Sequence, residues 1–150
     1  MITKANIDRF FESKTLAIAG VSRNPKKFPN AVFLELQKKG FTVYPINPNT
    51  DEIAGVKCYR DVASLPAGVE SLAIITKKDK TESLVDAAIA RGMKNVWIQQ
   101  MSETPAAVDK ATKAGINLIY KKCLFMFSEP VGGMHKFHRS IKKLFGSLPQ

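Results

Sequence analysis

Five short, nearly unbroken apolar runs divide the chain, at 15–19, 42–46, 72–75, 96–98 and 116–120, and three of the four intervals between them have helical spacing. Runs of this length without polar alternation fit strands covered on both faces, and their Val, Ile and aromatic residues favour extended backbone. The helical segments 30–39, 81–91 and 104–114 stop at Gly40, Gly92 and Gly115, each able to take the left-handed conformation that closes a helix. Thr104 followed by Pro105 adds a cap and a first-turn proline. Each closing glycine stands one to four residues before the next apolar run, the short connection of αβ units. A weaker extended candidate is 56–59.

Alternating helices and apolar strands imply right-handed crossovers and an α/β fold, a Rossmann-like doubly wound parallel sheet of five to six strands. The expected order is 3-2-1-4-5, with the run 116–120 at the edge beyond the fifth strand. The 150 residues contain no repeat, linker or low-complexity tract and read as one domain, 1–150, with a core over about 10–123. A domain of this size removes about 68–70% of its unfolded surface from water, so a full core forms without metal or disulfide.

Ligands of such sheets bind outside the carboxyl ends of the strands, near the reversal in strand order. The stretch after the first run, Gly20-Val21-Ser22-Arg23-Asn24-Pro25-Lys26-Lys27, leads into a helix start, where backbone N–H groups, the Ser22 hydroxyl and three cations are suited to phosphate. It carries one glycine where the dinucleotide fingerprint GxGxxG has three, and it reads equally as a solvated basic loop. The second run ends at Asn47-Pro48-Asn49, where NAD sites place a carboxylate on the ribose hydroxyls. An amide there favours a phosphorylated ribose, as in coenzyme A (CoA) or NADP, without separating the two; the same residue types also form plain turns. Thr76 and Lys77 follow the next run and Gln99 closes the one after, all at the same sheet edge and suited to an amide or a phosphate. Lysines in such places are by default a solvated rim. Two adjacent lysines beside Cys123 would favour a reactive thiolate, whereas the simpler reading is a buried, inert side chain.

The charge of +10 and pI near 9.7 favour acidic partners such as phosphates. Cys58 and Cys123 lie far apart without CxxC spacing, which suggests neither a disulfide framework nor zinc. The first ten residues include Asp8 and Arg9 where a secretory signal needs an apolar stretch, and no apolar run approaches the ~18 residues of a membrane span. The expectation is a cytoplasmic protein.

These residues carry a resemblance. The segments 15–25, 43–49, 95–99 and 114–123 resemble the small stand-alone CoA-binding proteins, whose Rossmann-like domain is similar to the CoA-binding domain of the succinyl-CoA synthetase alpha subunit. The resemblance implies a site for CoA or an acyl-CoA. Gly20, Val21, Ser22, Arg23 and Asn24 would surround the phosphates, Asn47 and Pro48 would border the adenosine, and Thr76 with Lys77 would flank the pantetheine. Family members usually carry a glycine near Pro29; proline stiffens the loop and removes a donor. A scaffold that has lost its ligand is therefore one alternative, and an NADP-binding oxidoreductase or redox sensor is another.

No catalytic or metal-binding constellation is recognisable, so the expectation is binding without chemistry. The synthetases that resemble this domain carry their phosphorylated histidine in a second domain, while His135 and His138 here lie beyond the Rossmann portion. Met134, Phe137, Ile141, Leu144 and Phe145 recur at helical steps among Lys136, Arg139, Lys142 and Lys143. An amphipathic helix is expected over about 130–146. Residues 121–150 carry half the net charge, which suits an acidic protein partner, but the stripe fits equally against the sheet or across a homodimer. No nucleic-acid motif accompanies the charge.

Overall fold

The computed structural model describes residues 1–127. Strands β1 (Thr15–Ala19), β2 (Thr42–Ile46), β5 (Ser71–Ile74), β6 (Asn95–Gln99) and β7 (Asn117–Lys122) form one parallel sheet in the order β2-β1-β5-β6-β7. Helices α2 (Phe28–Lys38), α3 (Lys78–Arg91) and α4 (Pro105–Lys113) connect them, so the α/β, doubly wound reading holds. Gly92 closes α3 at φ +75, and the Thr104 hydroxyl accepts from the Ala107 N–H at the start of α4, as their positions in the sequence imply.

The side chains of β1 divide two cores. Leu16 and Ile18 join Val32, Phe33 and Leu36 of α2 on one face, together with Trp97. Ala17 and Ala19 face the other way, where Leu72, Ile74, Val96 and Ile98 meet Val85 and Ala88 of α3 and Ala107 and Ala111 of α4. Burial on both faces is why these strands read as continuous apolar runs rather than as alternation. Among the described residues no helix is long and apolar enough to cross a membrane.

Three features depart from the sequence reading. The segment 56–59 is not a full sheet strand. Its first two residues form β4 (Val56–Lys57), antiparallel to β3 (Glu52–Ile53) and close beside β2, while Tyr59 makes a single parallel bridge to Ile46 of β2. Ala54 and Gly55, at φ +50 and +76, turn this hairpin tightly and carry it off the sheet, leaving five strands and no strand outside β2. Helix α1 (Lys4–Phe11) was not expected; a Thr3–Asn6 capping box starts it, and Ile7 and Phe10 bury against the Trp97 side of the sheet. Helix α2 begins two residues earlier than the expected 30–39, with Pro29 in its first turn. The amphipathic segment expected at 130–146, with His135 and His138, lies outside the described residues.

Candidate functional site

The tips of β1 and β5, neighbours at the reversal in strand order, come unusually close. Gly20 sits just beyond β1 at φ +114, and a Cβ placed there would lie 2.0 Å from the Ile75 carbonyl oxygen. Glycine is therefore required for contact as well as for conformation. Past Ile75, the Thr76 Oγ1 is buried and has no hydrogen-bond partner. Native proteins rarely leave such a group unsatisfied, and among the described residues Glu103 Oε2 is the other buried side-chain atom so left.

Gly20 and Thr76 stand between two cavities and line both. The smaller, about 440 Å³, opens beside Val21, Asn47 and Pro48, with Arg60 and Lys80 on its far walls. The larger, about 870 Å³, runs past Ser22, Lys77 and Gln99 toward Phe28, Met101, Cys123 and Phe125. Both volumes fall in the range of about 300–1,000 Å³ usual for ligand pockets. Among the described lining residues, Lys27, Arg60, Lys77 and Lys80 outnumber one carboxylate, Asp61. Helix α3 starts at this junction with Lys77 as its cap residue and no side-chain cap, so its first-turn N–H groups add to the positive field. A hollow of about 950 Å³ lies elsewhere, between α1 and the length of β7 from Asn117 to Lys122, and shares no lining residue with these two cavities.

The expected residues divide into three groups. Gly20, Ser22, Thr76, Lys77 and Gln99 line the larger cavity, and Gly20, Val21, Asn47, Pro48 and Thr76 the smaller. Arg23 and Asn24 are exposed on the loop and belong to neither wall. Several of the polar groups already have internal partners. Asn47 Nδ2 donates to the Val21 carbonyl at 2.9 Å, while its Oδ1 accepts from the Asn49 N–H at 2.8 Å. The Ser22 N–H donates to Asn30 Oδ1 at 3.0 Å, and Asn30 Nδ2 returns a bond to the Ser22 carbonyl at 2.6 Å. The Ser22 hydroxyl accepts from the Asn24 N–H at 3.1 Å. Gln99 is buried, and its Oε1 accepts from the Leu124 N–H at 3.0 Å, fixing the turn after β7.

Sequence reasoning missed the residues that brace this edge. Buried Asn30 brackets Ser22 from within α2. Ser102 Oγ donates to the Thr76 carbonyl at 2.6 Å, and Thr81 Oγ1 donates to the Ser102 carbonyl at 2.6 Å, tying the loops after β5 and β6 together. Arg91 donates to the carbonyls of Val62, Ala63 and Pro66, holding the turn that follows Arg60 and Asp61. No local pattern marks these pairings, whose partners stand 8 to 29 positions apart.

The two cysteines differ from each other. Cys58 is buried, and burial, reinforced by the Asp51 carboxylate, pushes its thiol above the ordinary range. Cys123 is half-buried on the wall of the larger cavity, so the reading of it as a buried side chain is corrected: it follows β7 at the carboxyl edge, where the sheet opens instead of packing. Among the described residues no group of three or more His, Cys, Asp or Glu is placed to hold a metal ion.

The sequence pattern of a family described as a CoA binding domain matches residues 14–129. The alpha subunit of an ADP-forming acetate–CoA ligase II from Pyrococcus furiosus is 30% identical over 130 residues, which are 79% of this chain and 28% of that subunit. The chain thus spans less than a third of the length of that ligase subunit. A solved conserved hypothetical protein from Pyrococcus furiosus superposes with a TM-score of 0.73 at 33% identity, over 76% of this chain and 98% of that one. A hypothetical protein from Pyrococcus horikoshii OT3 superposes at 0.75 with 32% identity, over 82% and 87% of the two chains.

Proposed function

The chain belongs to the CoA-binding domain family, and from that premise we propose that it binds coenzyme A or an acyl-CoA at the carboxyl edge of its sheet, without catalysing a reaction. The observation that carries this reading is the pair of cavities meeting at Gly20 and Thr76. CoA has two unlike halves, a polyanionic adenosine nucleotide and an uncharged pantetheine arm. The smaller cavity, between Asn47, Pro48, Arg60 and Lys80, suits the nucleotide. The arm then crosses the Gly20–Thr76 ridge past Lys77, where the orphaned Thr76 hydroxyl meets a polar partner. Ser22, Arg23 and Asn24 supply charge and hydrogen bonds to the phosphates from the loop above.

Two features reduce phosphate affinity relative to a glycine-rich loop. Pro29 offers no N–H in the first turn of α2, and the Ser22 N–H is already given to Asn30. Binding therefore rests more on cationic side chains, and its affinity should fall as salt rises. The proposal of binding without catalysis follows the sequence reading, and the ligase relatives extend far beyond the matched part. The protein is proposed to act in the cytoplasm.

Isothermal titration with CoA, NADP and NAD tests the reading on wild type and on Thr76→Val. CoA should bind best. The variant should lose about tenfold in CoA affinity, a charge-free hydrogen bond of about 1.4 kcal/mol, while its unfolding midpoint stays the same or rises, because valine removes an unsatisfied hydroxyl. Equal affinity in both proteins removes Thr76 from the site, and preference for NAD or NADP overturns the ligand.

A further inference from the structure

The larger cavity is lined by polar and apolar residues together; Gln99 Oε1 is committed to the Leu124 N–H and Ser102 Oγ to the Thr76 carbonyl, while Lys27, Lys77 and Gln100 also stand on its wall. Its large apolar lining residues include Phe28, Met101, Phe125 and Met126, and Cys123 also lines it. The Phe28 and Phe125 rings approach to 6.3 Å between centroids, one from the start of α2 and the other from the turn after β7. Phe28 is 45% exposed and Met101 77%, so two large apolar side chains stand in water at the rim. Met101 does so with φ +76, a backbone conformation that side chains with a Cβ rarely adopt. Strain of this kind, held at a cavity rim, is a pointer to function, and a thioether adapts readily to ligands of varied shape.

We propose that the apolar lining of this cavity holds the apolar acyl group of an acyl thioester, so that the preferred ligand is an acyl-CoA with a medium-length aliphatic chain rather than free CoA. The proposal rests on the CoA reading above and deepens it. Continuity supports it: the arm that crosses the ridge carries its thiol end into the same cavity, and an acyl group on that thiol continues toward Phe28 and Met101. Pantetheine, with two amides and a hydroxyl, has little use for such a wall, whereas an alkyl chain removes both exposed side chains from water. Each methylene fully buried tightens binding by about fourfold.

Titration of the full chain with CoA, acetyl-CoA and octanoyl-CoA, at ligand concentrations below micelle formation, tests this. Octanoyl-CoA should bind at least about tenfold tighter than acetyl-CoA. Met101→Ser should weaken octanoyl-CoA at least about fivefold more than it weakens CoA, and Phe28→Ser should do the same, with the emission of buried Trp97 reporting that both variants remain folded. If CoA binds and the chain-length gain is absent, or survives in both variants, the acyl inference is overturned while the CoA reading stands. If none of the three ligands binds, both fall.

Discussion

Asn47 shows how one amide can be taken for a ligand contact and yet serve the fold. Its Nδ2 donates to the Val21 carbonyl and so ties the turn after β2 to the loop after β1. A carboxylate in the same place has no proton to give and would set its charge against that carbonyl. Asn47→Asp should therefore destabilise the protein by about 1–3 kcal/mol, the cost of a buried acceptor left unmade, read as a lower midpoint in urea unfolding with an unchanged slope. A midpoint at the wild-type value would return Asn47 to the role of a free ligand contact. The sequence singled out this position as the amide that stands where NAD sites carry an acid, but its partner lies 26 residues away and left no local trace. Thr76 was legible by topology alone, as the residue just past an apolar run. Met101 was not legible in this sense: a left-handed methionine has no sequence signature.

At the scale of elements, the legible parts were those whose burial repeats. The central strands are visible because both faces of each are covered, the edge strands because their apolar residues still run together, and α3 and α4 because their ends carry Gly92 and Thr104. The two-residue strands β3 and β4 are too short for a period, and α1 is a single eight-residue helix whose only signal is a cap. At the amino ends of the strands an uncharged polar ladder does the joining. Asn6 Nδ2 donates to Asn117 Oδ1, Asn117 Nδ2 donates to Asn95 Oδ1, and Asn95 Nδ2 donates to Ser71 Oγ, with distances of 2.9, 2.9 and 3.2 Å. Asn117→Val breaks three hydrogen bonds at once, one of them from Asn117 Nδ2 to the Asn6 carbonyl, and leaves the Asn6 and Asn95 side chains half-satisfied. A loss of about 1–3 kcal/mol is expected in denaturant unfolding, with CoA affinity unchanged because the ladder lies at the opposite end of the sheet from the ridge. Loss of affinity without loss of stability would contradict that separation.

For the described molecule, the sheet keeps the two cores apart, one against α1 and α2 and the other against α3 and α4. Among the described residues, Gly20 and Thr76 are those that line both cavities of the proposed site. A dismembered ligand should register this. Adenosine 3′,5′-bisphosphate and pantetheine, titrated separately and then together, should not behave as strangers: occupancy by either half sets the Thr76 rotor and the β1–β5 gap that the other must meet. Each fragment is expected to raise the other's affinity by the same factor, as reciprocity of linked equilibria demands. A factor of one would mean that the covalent tether alone makes the halves act as a single molecule.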